Sequence, residues 1–267
     1  MATPEAPLRE ILKSISFTQL PLRHIEPFFE AEKITTPRLY IYGWPASGKQ
    51  SSLPTYDTEC LRVLAVLKFA NYGFDIVHTH EPSGSPNGKL PYLLLPNGQA
   101  IDSDGVVAHL EKSGHKLPSD SLPNELVYCT MVERNLVPAV EYMMWVDPAG
   151  FKKIGDGRYL SGYPGLVRYV LGWFRASDVA HDVQVRQPEY GTALDGEALS
   201  ENALRALDSL LILLGDREYL AGAPGLLDAR VFACLNILIE APVTSSIRTA
   251  LLSPDSKYKP LVDYALR

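Results

Sequence analysis

A chain of 267 residues, 46% apolar and 21% charged, fits two soluble globular domains of ordinary size. Its formal net charge of −6 argues against a broad nucleic-acid surface. Three cysteines, Cys60, Cys129 and Cys234, stand far apart with no CxxC, which excludes a disulfide framework and a cysteine zinc site and points to a reduced compartment.

The N-terminus, MATPEAPLREILKSISF, carries Glu5 and Glu10 beside Arg9 and Lys13, so it is neither an apolar signal peptide nor an acid-poor transit peptide. Residues 1–37 read as an extension with a short amphipathic helix over Leu8–Ile15. Arg38 to Trp44 reads as a strand, and residues 45–56 as a long loop. Thr55 or Asp57 then caps a helix with Glu59 in its first turn. That helix is apolar at Cys60, Leu61, Val63, Leu64, Val66, Leu67 and Phe69, a face wide enough to be buried on two sides. Phe74 to His80 is a second strand.

The segment Glu81–His115 is the densest in signals. After the loop SGSPNGK, Leu90-Pro91 opens a strand, where a cis bond turns the backbone sharply. Tyr92–Leu95 and Gln99–Asp102 form a hairpin around Asn97-Gly98. Ser103 or Asp104 caps a helix with Val106, Val107 and Leu110 on its apolar side, and Gly114 ends it.

Beyond Leu117 strand patterns vanish. Helical periodicity covers Glu125–Trp145, a stretch from Pro164 or Gly165 onward, a helix from Ser200 to Gly215, a strongly apolar Leu227–Ile239 and a last segment near Tyr258. No apolar run reaches the ~18 residues of a transmembrane helix. The final residues, Ala265-Leu266-Arg267, still read as helix, so a continuation past Arg267 into a membrane anchor stays open.

Two motifs are chance patterns by physical argument. Gly43 to Lys49 fits GxxxxGK, but Gln50 replaces the magnesium-binding hydroxyl and Pro54 stands where the phosphate-binding helix should run. His78 and His80 share a strand face beside Glu81, yet a third zinc ligand is not evident. No cofactor and no metal are expected. The aromatic residues Tyr159, Tyr163, Tyr169, Trp173 and Phe174 lie near Lys152, Lys153, Arg158, Arg168 and Arg175. This set reads either as helical core with a solvated basic rim or as a surface facing a membrane or barrel.

The order βα, β, Pro-led ββ, α, then helices resembles the glutathione transferase fold. It implies α/β plus all-α architecture: an extension (1–37), a thioredoxin-like N-terminal domain (38–117) and an all-helical domain (118–267). Pro91 matches the cis-proline beside the glutathione cysteinyl group. Asp102 and Ser103 match the Glu/Gln-Ser pair that holds the γ-glutamyl end at a helix N-terminus. Asp228, in GLLDARVFACL, matches the buried Asp of a helix-capping motif, although Gly225 stands where that motif has Ser or Thr. The resemblance also implies a thiolate stabiliser after the first strand. The usual Tyr position falls on Gly43, Tyr42 points to the opposite strand face, Ser47, Ser51 and Ser52 lie in a long loop, and Cys60 reads as core.

A closer resemblance is to the metaxin family, and among them to fungal metaxin-like subunits of the mitochondrial sorting and assembly machinery. SPNGKLP with its hairpin and KSGH helix end, ERNLVPAVEYMMW, RYLSGYP and LDARVF carry it, in that order. The resemblance implies a non-catalytic subunit, peripheral on the cytosolic face of the mitochondrial outer membrane. Its implied partners are a barrel-forming subunit, a second metaxin-like subunit and β-barrel precursor proteins. Pro91, Asp102 and Ser103 would then be vestigial, and Lys152, Lys153, Arg158, Tyr159, Tyr163 and Trp173 form the candidate partner-facing surface. An atypical glutathione transferase or glutathione-dependent reductase is the alternative.

Overall fold

The computed structural model describes residues 34–43, 53–118, 122, 124–160, 164–186 and 194–266, with the backbone alone at 157 and 158. The expected extension, the loop serines, the phosphate-loop pattern after Gly43 and the side chains of Arg158 and Tyr163 lie outside them. Along β1 (Arg38–Tyr42) burial alternates, with Leu39 and Ile41 inside, because a strand turns successive side chains to opposite faces. It runs parallel to β2 (Asp75–Thr79) and antiparallel to β3 (Tyr92–Leu94), which pairs antiparallel with β4 (Ala100–Asp102). The sheet order is β2-β1-β3-β4. The parallel pair needs a crossover, and α1 (Thr58–Phe69) provides it.

One sheet face sends Leu39, Ile41, Leu93 and Ile101 into a core shared with α1 and α2 (Gly105–Lys112). On the other face Tyr40 stacks on Tyr92 with ring centroids 4.6 Å apart. The SGSPNGK loop closes over that pair. A Cβ at Gly84 would lie 2.4 Å from the Tyr92 hydroxyl, so the approach admits glycine alone. Leu90-Pro91 is cis, as the strand opening implies. At α2 the cap differs from expectation. Neither Ser103 nor Asp104 supplies it; Asp102 Oδ1 accepts the Gly105 N–H at 2.9 Å. The last residue of β4 thus turns the chain directly into the helix by its own carboxylate.

The helical part begins with α3 (Glu125–Met131) and α4 (Val137–Trp145), joined through a π-turn over Val132–Leu136. The sequence pattern reads this span as one helix. Pro138 interrupts it: a proline ring clashes with the carbonyl four residues back, and the helix widens so that the Val137 N–H reaches the Val132 carbonyl. Then follow α5 (Pro148–Gly150), a second π-stretch over Phe151–Tyr159, α6 (Gly165–Arg186), α7 (Gly196–Leu214), α8 (Leu226–Glu240), α9 (Ser246–Leu252) and α10 (Lys259–Ala265). Two boundaries escape the sequence reading. α7 starts at Gly196 rather than Ser200, because Asp195 caps it by accepting the Glu197 N–H at 2.9 Å. α9, seven residues long, is held by the Ser245 hydroxyl accepting from the Arg248 N–H at 3.1 Å. Among the described residues no helix is long and apolar enough to cross a membrane.

The two parts meet along α1 and α8. Cys60, Val63, Ala65 and Val66 of α1 pack into the sheet core, Leu61 of the same helix packs into the helical core, and Ala229 of α8 crosses to the sheet side. The double-sided burial expected of α1 is thereby realised. The start of α8 is organised by Asp228, which is fully buried. Its carboxylate accepts the Leu220 N–H at 2.8 Å, the Gly225 N–H at 3.2 Å and the Tyr264 hydroxyl at 2.9 Å. The hydroxyl half of the reciprocal cap is absent at Gly225, while a tyrosine from α10 satisfies the carboxylate from the other side. Burial pushes this carboxyl up, and those donors oppose the push.

Asp228→Ala strands three buried donors, so it should lower unfolding free energy by about 2–4 kcal/mol, whereas Tyr264→Phe should cost about 1 kcal/mol. Urea unfolding midpoints with unchanged slopes check both.

Candidate functional site

A catalytic site of the kind this fold implies would stand at the N-terminus of α1, below the end of β1. The helix start is already filled. Asp57 caps it with Oδ1 accepting the Cys60 N–H at 2.8 Å, so a carboxylate occupies the dipole position a thiolate would need. Burial pushes the Asp57 carboxyl up, and the Cys60 N–H bond and Arg175 hold it back. Cys60 itself is wholly buried. Its burial, followed by the Asp57 charge, drives the thiol well above the usual range, the opposite of a reactive cysteine. Burial likewise pushes Cys234 up to about 12, and raises the half-exposed Cys129.

At the strand end Gly43 adopts φ +142°, with the His78 ring 3.2 Å and the Pro54 carbonyl 3.4 Å from a would-be Cβ. A tyrosine could not stand there without strain. Tyr42, expected to point away from the site, instead lies edge-on to Tyr159 at 6.0 Å, on the cleft beside the start of α1. These residues wall a cleft of ≈ 180 Å³ with Asp57, His80, Trp145 and Arg175. His78 Nε2 lies 3.1 Å from the Pro54 carbonyl, so this histidine holds the chain leading into α1.

Pro91 is buried behind the strand it opens. Asp102 spends its carboxylate on the α2 cap. The Ser103 carbonyl accepts from Arg62 Nη2 at 3.5 Å, and Arg62 is paired with Glu59 one turn earlier on α1. Burial alone would raise the Glu59 carboxyl, but the Arg62 guanidinium holds it below its ordinary value. An ion pair of this chain thus sits where the resemblance puts the γ-glutamyl end. It borders a cleft of ≈ 260 Å³ whose other charges, Glu133 with Arg230 and Glu141 with Arg186, are also paired. The i,i+3 spacing of Glu59 and Arg62 is legible in sequence; their convergence on Ser103 is not.

The aromatic and basic set divides. Tyr159, placed by sequence on a partner-facing surface, is instead buried. Its hydroxyl accepts the Tyr56 N–H at 3.0 Å and lies 3.2 Å from Thr55 Oγ1; burial drives its pKa well up. The reason is geometric: the wide π-stretch turns Tyr159 inward against the chain that leads into α1. Lys152, Lys153 and Trp173 remain on the outside.

The geometry defines a glutathione transferase-like fold in which, among the described residues, both buried cysteines have raised pKa values. A family model for the glutathione S-transferase N-terminal domain matches residues 58–150, and one for the glutathione S-transferase C-terminal domain matches residues 201–267. A glutathione S-transferase from Ceriporiopsis subvermispora, solved in complex with glutathione, superposes with a TM-score of 0.54 over 87% of this chain and 99% of its own, at 11% identity. Within that class the sequence is closer to metaxins. It is 26% identical over 202 residues to Metaxin-1 of Mus musculus, covering 72% of this chain and 64% of that protein. It is 27% identical over 192 residues to Metaxin-2 of Mus musculus, covering 69% and 72%. The chain is a metaxin homologue built on the glutathione S-transferase domain pair. It spans about 64% of the length of the Metaxin-1 it matches.

In native protein, iodoacetamide should label Cys129 slowly and spare Cys60 and Cys234 until denaturant is added, as read by peptide mass spectrometry. Restoring tyrosine by Gly43→Tyr should create no glutathione conjugation and should destabilise the fold by about 1–3 kcal/mol, as read by a conjugation assay and a thermal melt.

Proposed function

We propose that this chain is a non-catalytic, peripheral subunit on the cytosolic face of the mitochondrial outer membrane, where it helps receive and insert β-barrel precursor proteins. The observation that carries the absence of catalysis is the filled α1 N-terminus: Asp57 caps it, and Cys60 beside that carboxylate is buried with a raised pKa. Catalysis by this fold requires the reverse, a donor or cation that favours sulfur in its charged form. The glutathione half-site at Pro91, Asp102 and Ser103 is read as vestigial, since Arg62 and Glu59 reach Ser103 from inside the protein. The role itself is supported by the likeness to metaxins over 72% of the chain. The proposed partners are a barrel-forming outer-membrane subunit and a second metaxin-like chain. Metaxin-1 and Metaxin-2 match at 26% and 27%, so identity does not choose between the two positions.

Affinity purification from detergent-solubilised mitochondria should recover an outer-membrane barrel protein and a second metaxin-like chain. Recovery from cytosol alone would refute the assignment. The transferase alternative predicts retention on glutathione-agarose and conjugation abolished by Cys60→Ala; we expect neither.

A further inference from the structure

The first turns of α6 carry an apolar surface that the fold does not use. Leu166, Tyr169, Val170 and Trp173 are 78%, 74%, 37% and 47% exposed. At 100° per residue they fall within an arc of about 100°, and exposed Val167 and Leu171 widen it to about 200°. The helix is held from the other side. Gly172, Val179 and Val183 are its buried residues, and Phe151 rests against Gly172, where a Cβ would lie 2.5 Å from the ring. Burial of the exposed residues is therefore not needed for α6 to stay in place.

The charges flanking this face in the sequence are mainly basic, with Asp156 beside Arg168 as the exception. Between Asp156 and Asp178 the only charged residues are Arg158, Arg168 and Arg175, and Lys152 and Lys153 precede them, in a chain of net charge −6. Arg168 is paired with Asp156 at 3.1 Å. Lys152 and Lys153 are exposed; Lys153 Nζ donates to the Pro242 carbonyl at 2.9 Å. Arg175 is exposed over the Trp145 ring at 5.4 Å, where it also faces Asp57.

We infer that the N-terminal half of α6 seats this protein directly on an anionic phospholipid surface. A convex helical face with Trp and Tyr among aliphatic residues, rimmed by lysine and arginine, matches the headgroup–acyl boundary, where aromatic rings and cations are both favoured. A second copy of this chain fits worse, because a two-fold contact through this face would oppose the basic rim to itself. The inference rests on the peripheral-subunit reading for its biological setting. Vesicle binding needs no partner protein, so its failure would overturn the lipid face alone, and failed co-purification would overturn the subunit assignment alone.

The test is co-sedimentation of the full chain with vesicles of phosphatidylcholine, with and without phosphatidylserine. We expect binding that is markedly stronger with phosphatidylserine and weakened by salt. Leu166→Glu with Val170→Glu should weaken it about tenfold or more, while Ile212→Glu, at a residue 82% exposed on α7, should leave it unchanged. In the unmodified sequence, brominated lipid chains should quench tryptophan emission, and Trp173→Phe should remove that quenching. Absence of binding to anionic vesicles overturns the inference. So does a double variant that binds as the parent does, or one whose only defect is loss of self-association.

Discussion

The packing of α1 between the sheet and α8 is the contact on which the rest of this protein depends. One helix serves two cores: Cys60, Val63 and Val66 fill the sheet side, and Leu61 faces the helical side. Every feature of the candidate site is fastened to it. Asp57 starts it, Glu59 and Arg62 reach from it to Ser103, and Tyr159 receives the backbone just ahead of it. Because interiors are packed to crystal-like density, a shift of this helix would move all of these together.

The same arrangement places charged groups of this chain at both positions where the resemblance puts a glutathione site. The Asp57 carboxylate stands at the start of α1 and the Arg62–Glu59 pair beside Ser103, each bordering a cleft. Buried charged groups are tolerated only when satisfied, and these are satisfied by one another. These bonds make the surroundings of α1 polar in part.

Asp228 plays the corresponding part for the helical side. A buried carboxylate with three donors is costly to disturb, and its donors come from the loop before α8, from the start of α8 and from α10. The missing hydroxyl at Gly225 is offset by Tyr264, a residue 36 positions after Asp228. The network therefore ties the end of the chain to its central helix. By contrast, the exposed side of α6 takes no part in either core, which leaves it free to meet something outside the protein.

Much of this was readable without coordinates. Alternation in RLYIY, the Asn97-Gly98 turn, the Pro-led hairpin, the two-sided apolar pattern of α1 and the apolar run of α8 follow from local periodicity and turn chemistry, which act over a few residues. The mismatch at Gly43 was legible too, since a glycine cannot donate a hydrogen bond from a side chain. What the sequence could not decide were events between distant segments. Periodicity read Glu125–Trp145 as one helix and missed the π-turn before Pro138, and Ser103 looked like a cap until Asp102 took the bond. Tyr159 and Trp173 sit in one aromatic cluster of the sequence, yet one is buried under residues about a hundred positions earlier and the other faces outward. Composition sets which side chains can be buried; only the tertiary structure, by choosing which helix faces find partners, decided which of them are.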